Sequence, residues 1–592
     1  MSCLFNSYDP YFKQPFGAVR AGQSVHLTLC IPEELGYVDP HLVIQKEGKY
    51  DVPVHYRMKF DGQTPKQNHF SVDVTLNDVG LYFYYFDLYT DFRRIVRGPD
   101  NCGVVSWQDG EKWQITVYEA DFRTPETFKG KVFYQIFPDR FCEGVENKPM
   151  PFPDRLYQAD KHAEPFWQPN ETGGHLNEDY FGGDLKGIQL KLPYLHEMGV
   201  DYLYLNPIFE AHSNHRYNTA DYLNVDPLLG TNEDFETLCK EAAKYGIGIV
   251  LDGVFSHTGS DSRYFNREGR YGEGGAYRDP NSPYRSWYDF DPKYKGGYRS
   301  WWGFETLPEV NEETPSFVEF ITGKGGVIDT WLRRGAAGFR LDVADELPDA
   351  FIEKIRAAVK RVSPEKFLLG EVWEDATTKY GFGHRRTYLL GKGLDSVMNY
   401  PLREAAIGFV TGTLDAYAFC RRVESLRENY PLPFFYSLMN LMGSHDRARL
   451  LNVLAGEAWE GVDPLERGGC RLSDAQRALA IRRLAEMWKL YAALPGMPSV
   501  YYGDEAGMEG AADPFCRFPY PWGREDAQIM AITREALALR ASRPILRRGA
   551  LQLHPIDRDT VRIRRFAYAG CDVFGEPLDD AEFEINIHAI HA

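Results

Sequence analysis

Four acidic side chains follow short apolar runs of this sequence, each close to the point where the run ends. They are Asp252, Asp342, Glu371 and Asp446. One arginine and two histidines lie near them in the chain, namely Arg340, His257 and His445. In a closed barrel of parallel strands, residues at the carboxyl ends of the strands converge on one mouth and form the active site. The sequence therefore predicts a cluster of carboxylates with cationic and imidazole side chains beside it.

The chemistry that such a cluster supports is cleavage of a glycosidic bond. The retaining route needs a carboxylate nucleophile and a protonated carboxylic acid about 5 to 5.5 Å apart, and adjacent barrel strands can hold two carboxyl groups at that separation. Close like charges raise the pKa of one group, so that it stays protonated and can act as the general acid. Arg340, two residues before Asp342, points to the same face of its strand and is expected to hold that carboxylate ionised.

Each of these residues also has a simpler interpretation. A single carboxylate at a strand end is more often a helix N-cap or a solvated residue than a catalyst, and Asp252 could serve only to orient Arg340. His257 and His445 could be buried core histidines or ligands of a metal ion. Metal-dependent hydrolase barrels usually carry an HxH pair on the first strand, and residues 132–141 contain no histidine.

Eight apolar runs could form the strands that position these side chains. The runs are residues 132–137, 202–205, 248–251, 338–341, 367–370, 397–400, 435–438 and 499–502. Amphipathic helical patterns, such as residues 235–245 and 317–334, lie between them. Repeated strand–helix units of this kind predict a (β/α)8 TIM barrel as the catalytic domain.

Three stretches of the chain do not fit the barrel pattern. Residues 1–124 show short alternating runs separated by Gly and Pro, which predicts an N-terminal β-sandwich domain. Within the barrel region, residues 125–544, the stretch 258–315 is too long for a strand–helix connection and predicts an inserted subdomain after the third strand. Residues 545–592 alternate again and predict a short C-terminal β-domain.

The composition limits the partners and the compartment. The 592 residues carry a formal net charge of −18, which disfavours nucleic acid and membrane as partners, because phosphate groups require clustered Lys and Arg. Nine cysteines without a CxxC pair indicate free thiols in a reducing compartment. The first residues show no secretion signal, and no apolar stretch reaches the roughly 18 residues of a membrane span. The expected location is the cytoplasm.

Four motifs, in order along the chain, resemble the signature regions of the α-amylase family, glycoside hydrolase family 13. They are DGVFSH at 252–257, GFRLDVADE at 338–346, GEVW at 370–373 and GSHD at 443–446. Segments at 134–141, 182–187, 205–209, 307–311 and 502–505 add to the likeness. The pattern is most similar to the group of cyclomaltodextrinases, neopullulanases and maltogenic amylases, which also carry an N-terminal β-domain.

The resemblance implies roles that the residues alone do not order. Asp342 would be the nucleophile, Glu371 the acid/base and Asp446 the stabiliser of the transition state. The implied activity is retaining hydrolysis of α-1,4-glucosidic bonds in maltodextrins, cyclodextrins or pullulan, with transglycosylation as a side activity. An α-glucosidase or a 4-α-glucanotransferase is the alternative within the class. A non-catalytic glycan-binding protein on the same fold is the alternative from another class.

The resemblance also implies a set of residues that bind the α-glucan substrate near the cleaved bond. They are His215, Tyr217, Asp252, His257, Arg340, Glu346, Trp373, His445, Asp513 and Arg517. Tyr217 would stack on a sugar ring, and the histidines at 257 and 445 would bind sugar hydroxyls. Glu346 and Trp373 would face the leaving group.

The sequence departs from the family in its metal-binding segments and at the acceptor side. Ser256 stands where many α-amylases carry a calcium-binding Asn, and the loop 142–149 (CEGVENKP) has lost most oxygen ligands of a second calcium segment. We therefore expect no cofactor. Arg447 follows Asp446 where relatives commonly have Thr. In the resembling group the N-terminal domain helps to form a homodimer by covering the neighbouring barrel mouth, and we expect the same arrangement here.

Overall fold

The computed structural model describes residues 3–48, 52–89, 92–146, 148, 155–165 and 177–592. The chain divides into two compact units. The first comprises Met1–Thr124, Asp375–Asp395 and Cys420–Phe435, and the second comprises Pro125–Glu374, Ser396–Phe419 and Tyr436–Ala592. Two stretches of the expected barrel region therefore belong to the first unit. Among the described helices, none has the length and apolar character needed to cross a membrane.

The first unit is built on two sheets that share one apolar core. The four-stranded sheet has the order Lys13–Gln14, Ser24–Pro32, Gln67–Thr75, Lys59–Thr64. The other sheet runs in the order Gly103–Ser106, Arg94–Arg97, Gly80–Asp87, Trp113–Tyr118, Val19–Arg20, and His41–Lys46 joins Gly80–Asp87 to Val54–Arg57. Leu27 from one sheet and Tyr84 from the other are both fully buried in this core. The sheets thus form the expected sandwich.

Eight parallel strands in the described part of the second unit form a barrel. In chain order they are β1 (Phe133–Ile136), β2 (Tyr202–Leu205), β3 (Gly248–Gly253), β4 (Gly338–Leu341), β5 (Phe367–Gly370), β6 (Ser396–Val397), β7 (Met439–Leu441) and β8 (Met497–Tyr501). They pair in the order β6-β5-β4-β3-β2-β1-β8-β7. A parallel bridge between Met398 and Met439 links the two ends of this order. The expected (β/α)8 barrel is confirmed.

Helices lie between the barrel strands, and a small sheet follows the last of them. The described α-helices are Pro138–Phe141, Leu185–Leu190, Leu192–Glu197, Asn232–Lys244, Pro315–Thr322, Val327–Arg334, Asp349–Val362, Tyr400–Val410, Ala416–Asn429, Leu432–Phe435, Leu450–Ala455, Pro464–Arg467, Asp474–Ala493, Ala527–Ser542 and Pro544–Arg548. The C-terminal strands are Ala550–Pro555, Thr560–Phe566 and Glu582–His588. The helix Asn232–Lys244 begins earlier than its apolar pattern indicates, because Thr231 and Asp234 form a capping box at its start.

Two predicted elements were wrong. Residues 317–334 form two helices, because Gly323, Gly325 and Gly326 interrupt the pattern and Gly325 adopts a φ of +81°. The seventh strand was predicted at residues 435–438, but β7 begins at Met439 and a short helix ends at Phe435. Apolar runs as short as these do not distinguish strand from helix.

Aromatic rings close one end of the barrel. The ring of Phe128 stacks on that of Tyr202, the first residue of β2, with centroids 4.0 Å apart, and on that of Phe367, the first residue of β5, at 4.2 Å. These strand starts belong to the N-terminal end. The polar side chains are left at the opposite, carboxyl-terminal end, where barrel enzymes carry their active sites.

Candidate active site

The guanidinium of Arg340, which β4 contributes, lies at the centre of the carboxylate cluster and is fully buried. Its Nη1 lies 2.8 Å from Oδ1 of Asp252 and 2.8 Å from Oδ1 of Asp342. Its Nη2 lies 2.8 Å from Oε2 of Glu371, the residue directly after β5. The register of β3 and β4 pairs residue 252 with residue 340. Three carboxylates from three adjacent strands thus share one positive charge.

Burial and this excess of negative charge raise the pKa values of the cluster. Burial raises the pKa of Glu371 to about 6, with Arg340 opposing the shift and Asp446 adding to it. Burial also raises the pKa of Asp342 well above its ordinary value, again against the effect of Arg340. The cluster therefore holds a proton to higher pH than separate carboxyl groups would. One protonated and one ionised carboxyl group can supply both an acid and a nucleophile.

His445 and Asp446 reach the cluster from the loop after β7. The side-chain amide of Gln135 donates to Nδ1 of His445 at 2.9 Å, which leaves the ring proton on Nε2, 3.3 Å from Oδ1 of Asp446. Arg517 lies 3.5 Å from the same oxygen and pairs with Asp513 at 2.7 Å. Burial lowers the pKa of His445 well below its ordinary value, and Arg517 adds to this. The ring is therefore a neutral donor near pH 7.

Asp252 connects Arg340 to Tyr217. The Tyr217 hydroxyl donates to Oδ2 of Asp252 at 2.7 Å, while Oδ1 of the same carboxylate accepts from Arg340. The Tyr217 ring stacks almost parallel on the His445 ring, with centroids 5.1 Å apart and an angle of 5°. The backbone N–H of Tyr217 donates to Nδ1 of His215 at 3.1 Å. The expected sugar-stacking ring is therefore held rigidly beside the carboxylates.

His257 carries a buried ring nitrogen that lacks a hydrogen bond of normal geometry within the described part of the chain. Its Nδ1 lies 3.0 Å from Oγ of Ser256, and its Nε2 is buried and makes no hydrogen bond of normal geometry to any described residue. Burial lowers the pKa of His257 to about 4, so the imidazole is neutral near pH 7. A buried polar atom without a partner is costly unless a ligand supplies one. A sugar hydroxyl would supply it.

Aromatic side chains stand next to Glu371. The Trp373 indole donates to Oε1 of Glu371 at 3.2 Å and stacks on the ring of Tyr400, with centroids 4.5 Å apart. The guanidinium carbon of Arg447 lies 4.1 Å from the centre of the Trp373 ring. Arg447 and Trp373 therefore pack together on the side of the site next to Glu371. Glu346 faces a second aromatic wall, where its carboxylate accepts the indole N–H groups of Trp301 and Trp302.

Sequence reasoning missed three polar residues that hold the site from inside the barrel. The Tyr204 hydroxyl donates to Oδ2 of Asp252 at 2.6 Å. The side-chain amide of Asn206 donates to the Tyr217 hydroxyl at 2.9 Å, and that of Gln135 donates to Oδ1 of Asn206 at 3.1 Å. These residues lie in or directly after β1 and β2. Alternate residues of a barrel strand face inward, and this alternation along β1 and β2 could have indicated these polar residues.

The altered calcium segment contains a lysine whose ammonium group is surrounded by oxygen atoms. The Nζ of Lys148 lies 2.5 Å from Oδ2 of Asp184, 2.6 Å from the carbonyl oxygen of Gly182 and 3.2 Å from that of Leu228. Residues 147 and 149 lie outside the described residues. Among the described residues, the oxygen atoms of this segment thus contact the ammonium group of Lys148. Such an arrangement does not fit a calcium ion at the same place.

We predict that chelation leaves the melting temperature and the turnover rate nearly unchanged. Lys148→Met should instead lower the stability by about 3 kcal/mol, because it leaves the buried carboxylate of Asp184 without its cation. The matched control is Lys186→Met, which changes an exposed lysine on the neighbouring helix Leu185–Leu190. The measurement is thermal melting with and without EDTA. A drop of more than a few degrees that added Ca²⁺ reverses would contradict this prediction.

Comparisons with known proteins found relatives that cover most of this chain. A family model described as "Alpha amylase, catalytic domain" matches residues 135–542. An amylopullulanase of Thermoanaerobacter thermohydrosulfuricus is 34% identical over 97% of this chain, and the chain spans only 41% of that protein. Neopullulanase 2 of Thermoactinomyces vulgaris is 35% identical, covering 74% of this chain and 67% of that protein. The solved structure of the cyclic α-maltosyl-(1→6)-maltose hydrolase of Arthrobacter globiformis, in complex with cyclic α-maltosyl-(1→6)-maltose, aligns with a TM-score of 0.63 and 29% identity, covering 75% of this chain and 90% of that one.

Proposed function

The chain belongs to the α-amylase family of glycoside hydrolases, and from this premise we propose that it hydrolyses α-1,4-glucosidic bonds of maltodextrins, cyclodextrins or pullulan with retention of configuration. The observation that carries the proposal is the bridge that one buried guanidinium makes between Asp342 and Glu371. It holds two carboxyl groups from adjacent strands side by side, as the retaining mechanism requires.

In the proposed reaction, Asp342 attacks the anomeric carbon while Glu371 passes its proton to the leaving oxygen. The hydrogen bond from Arg340 to Asp342, 2.8 Å long, favours the ionised nucleophile. Below about pH 6, the raised pKa of Glu371 lets this residue hold a proton for the leaving oxygen. Glu371 then acts as the base that activates water, which hydrolyses the glucosyl–enzyme ester. A sugar acceptor in place of water gives transglycosylation.

The remaining residues of the site are proposed to bind and orient the sugar at the cleaved bond. Asp446 lies next to the neutral His445 and supplies negative charge to the oxocarbenium-like transition state. The buried Nε2 of His257 makes no hydrogen bond of normal geometry to a described residue, and we propose that a sugar hydroxyl supplies one. Tyr217, held between Asp252 and His445, offers a ring for stacking. No substrate-binding step in this scheme needs a cofactor.

We further propose a homodimer in which the N-terminal domain narrows the neighbouring barrel mouth, as expected from the family resemblance. A narrowed mouth excludes a branched polymer on steric grounds and retains binding energy for short or cyclic glucans. Cyclodextrin should therefore be turned over faster than starch, and dilution that dissociates the dimer should reduce this preference. Light scattering and initial rates on cyclodextrin, pullulan and starch over a range of protein concentrations test this. A monomer that already prefers starch would defeat the proposal.

The same rate measurements separate the alternative activities. An α-glucosidase would release only glucose, and a 4-α-glucanotransferase would lengthen chains with little net hydrolysis. A non-catalytic glycan-binding protein would bind these sugars without turnover. For the location we propose a reducing compartment such as the cytoplasm, which is supported by the nine cysteines, all described and all present as free thiols.

A further inference from the structure

Two tryptophans in the segment between β3 and β4 are held by one carboxylate. The indole N–H of Trp301 donates to Oε2 of Glu346 at 2.6 Å, and that of Trp302 donates to Oε1 at 2.9 Å. Both oxygens of Glu346 therefore accept an indole N–H. This carboxylate lies four residues after Asp342, in the short turn Ala344–Glu346, so the tryptophans are tied to the loop that carries the proposed nucleophile.

Trp302 has the properties of a binding platform and not of a core residue. Its side chain is 77% exposed, although large apolar side chains are usually buried. Its backbone adopts a φ of +50°, a left-handed conformation that is unfavourable for a bulky residue and is often found at functional sites. An exposed indole N–H can donate to water, so Trp302 does not need Glu346 as a hydrogen-bond acceptor. The bond instead fixes the orientation of the ring.

The two indoles extend outward from the carboxylate cluster. The Trp301 ring lies 5.3 Å from the ring of His257, which is proposed to bind a sugar hydroxyl, and 6.3 Å from the ring of Phe304. Phe304 is itself 56% exposed. Glucose rings of an α-glucan present faces of C–H groups, which pack on exposed aromatic rings. The rings of Trp301, Trp302 and Phe304 would thus form an aromatic wall that starts next to His257 and extends away from it.

We propose that Glu346 is a positioning residue that holds Trp301 and Trp302 as a stacking wall for the more distant glucose units of long α-glucans. This inference rests on the proposed function. It differs from the expectation that Glu346 binds the sugar directly, because each of its oxygens accepts an indole N–H and its effect on the sugar would pass through the two rings. The wall would favour long substrates over short ones, since only a long chain reaches it.

The test is the dependence of KM on chain length. In Trp302→Ala, the ratio of KM for maltoheptaose to KM for maltotriose should rise about tenfold over the wild-type ratio, the upper range for one aromatic contact. Glu346→Ala should raise it similarly, and Trp302→Phe should retain most of the wild-type preference. Tyr568→Ala, which removes an exposed aromatic ring from the C-terminal part of the second unit, is the matched control and should leave the ratio unchanged.

A double-mutant comparison separates positioning from direct binding. Because Glu346 acts through the indoles, adding Glu346→Ala to the Trp301→Ala/Trp302→Ala variant should change the KM ratio by less than about twofold. A full effect of Glu346→Ala in that background would mean that the carboxylate binds sugar itself and would overturn the inference. An unchanged ratio in Trp302→Ala would also overturn it, while leaving the proposed hydrolysis intact. Absence of glucan turnover in the wild type would instead refute the proposed function.

Discussion

Replacing Asp342 by Asn should lower kcat for maltodextrin hydrolysis by on the order of 10⁶, the loss seen when a nucleophile that acts as part of a unit is removed. The amide cannot form the glucosyl ester, so the acid at Glu371 has no nucleophile to act with. Arg340 still contacts two carboxylates, Asp252 and Glu371, so the local charge remains compensated. We therefore expect a folded protein that binds glucan without turning it over.

Initial rates and thermal melting of the purified variant measure this effect. Asp121→Asn makes the same chemical change at an exposed position outside all of the motifs and serves as the control. Residual activity within about 100-fold of the wild type, in a preparation free of wild-type protein, would mean that another group is the nucleophile. Of the neighbouring carboxylates, Asp446 would be the first to consider, because its side chain is 31% exposed.

Replacing Glu371 by Gln should lower kcat/KM for maltodextrins by about 10²- to 10⁴-fold, the usual contribution of a general acid. The loss should be much smaller for α-maltosyl fluoride in the first step, because fluoride leaves without a proton. The wild-type kcat/KM should fall above about pH 6, since Glu371 is an acid only while protonated and its raised pKa of about 6 sets that limit. The Gln side chain does not ionise, so this variant should lack the fall in kcat/KM above about pH 6.

Glu353→Gln, at an exposed position of the helix Asp349–Val362, is the control for this change. Rates on the two substrates at several pH values test the assignment. Equal losses on maltodextrin and on the fluoride would argue that Glu371 positions the sugar and does not supply the proton. An alkaline limb that persists in the Gln variant would assign the titration to another group.

The positions of the catalytic motifs were predictable because a parallel barrel places its polar residues by a simple rule. Asp252, Asp342 and Glu371 each occur at the carboxyl end of a short apolar run, and strand register alone then brings them together. The predicted positions of β6 and β7 were wrong by a few residues. Asn399 caps a helix directly after β6, and a short helix precedes β7. At β6 the capping bond that the N–H of Leu402 donates to Asn399 overrode the apolar pattern.

Contacts between distant parts of the chain could not be predicted from one sequence. The bond from Trp301 to Glu346 joins residues that are 45 positions apart in the chain. Trp301 lies in the insert after β3, where the helices between residues 285 and 303 are single turns and give no periodic pattern to predict from. Lys148 lies in a loop whose neighbouring residues do not reveal which groups its ammonium contacts. Its ammonium finds Asp184 and two carbonyl groups that lie 34 to 80 residues away.

The central claim, that Asp342 acts as nucleophile on one side of the cleaved bond and Glu371 as acid on the other, is tested most directly by the configuration of the first product. Proton NMR of maltodextrin or cyclodextrin hydrolysis, recorded before mutarotation equilibrates the sugars, distinguishes the two anomers. Two displacements at the anomeric carbon restore the starting geometry, so we predict that the α-anomer appears first. Early release of the β-anomer would contradict the covalent mechanism and the roles assigned to both carboxyl groups.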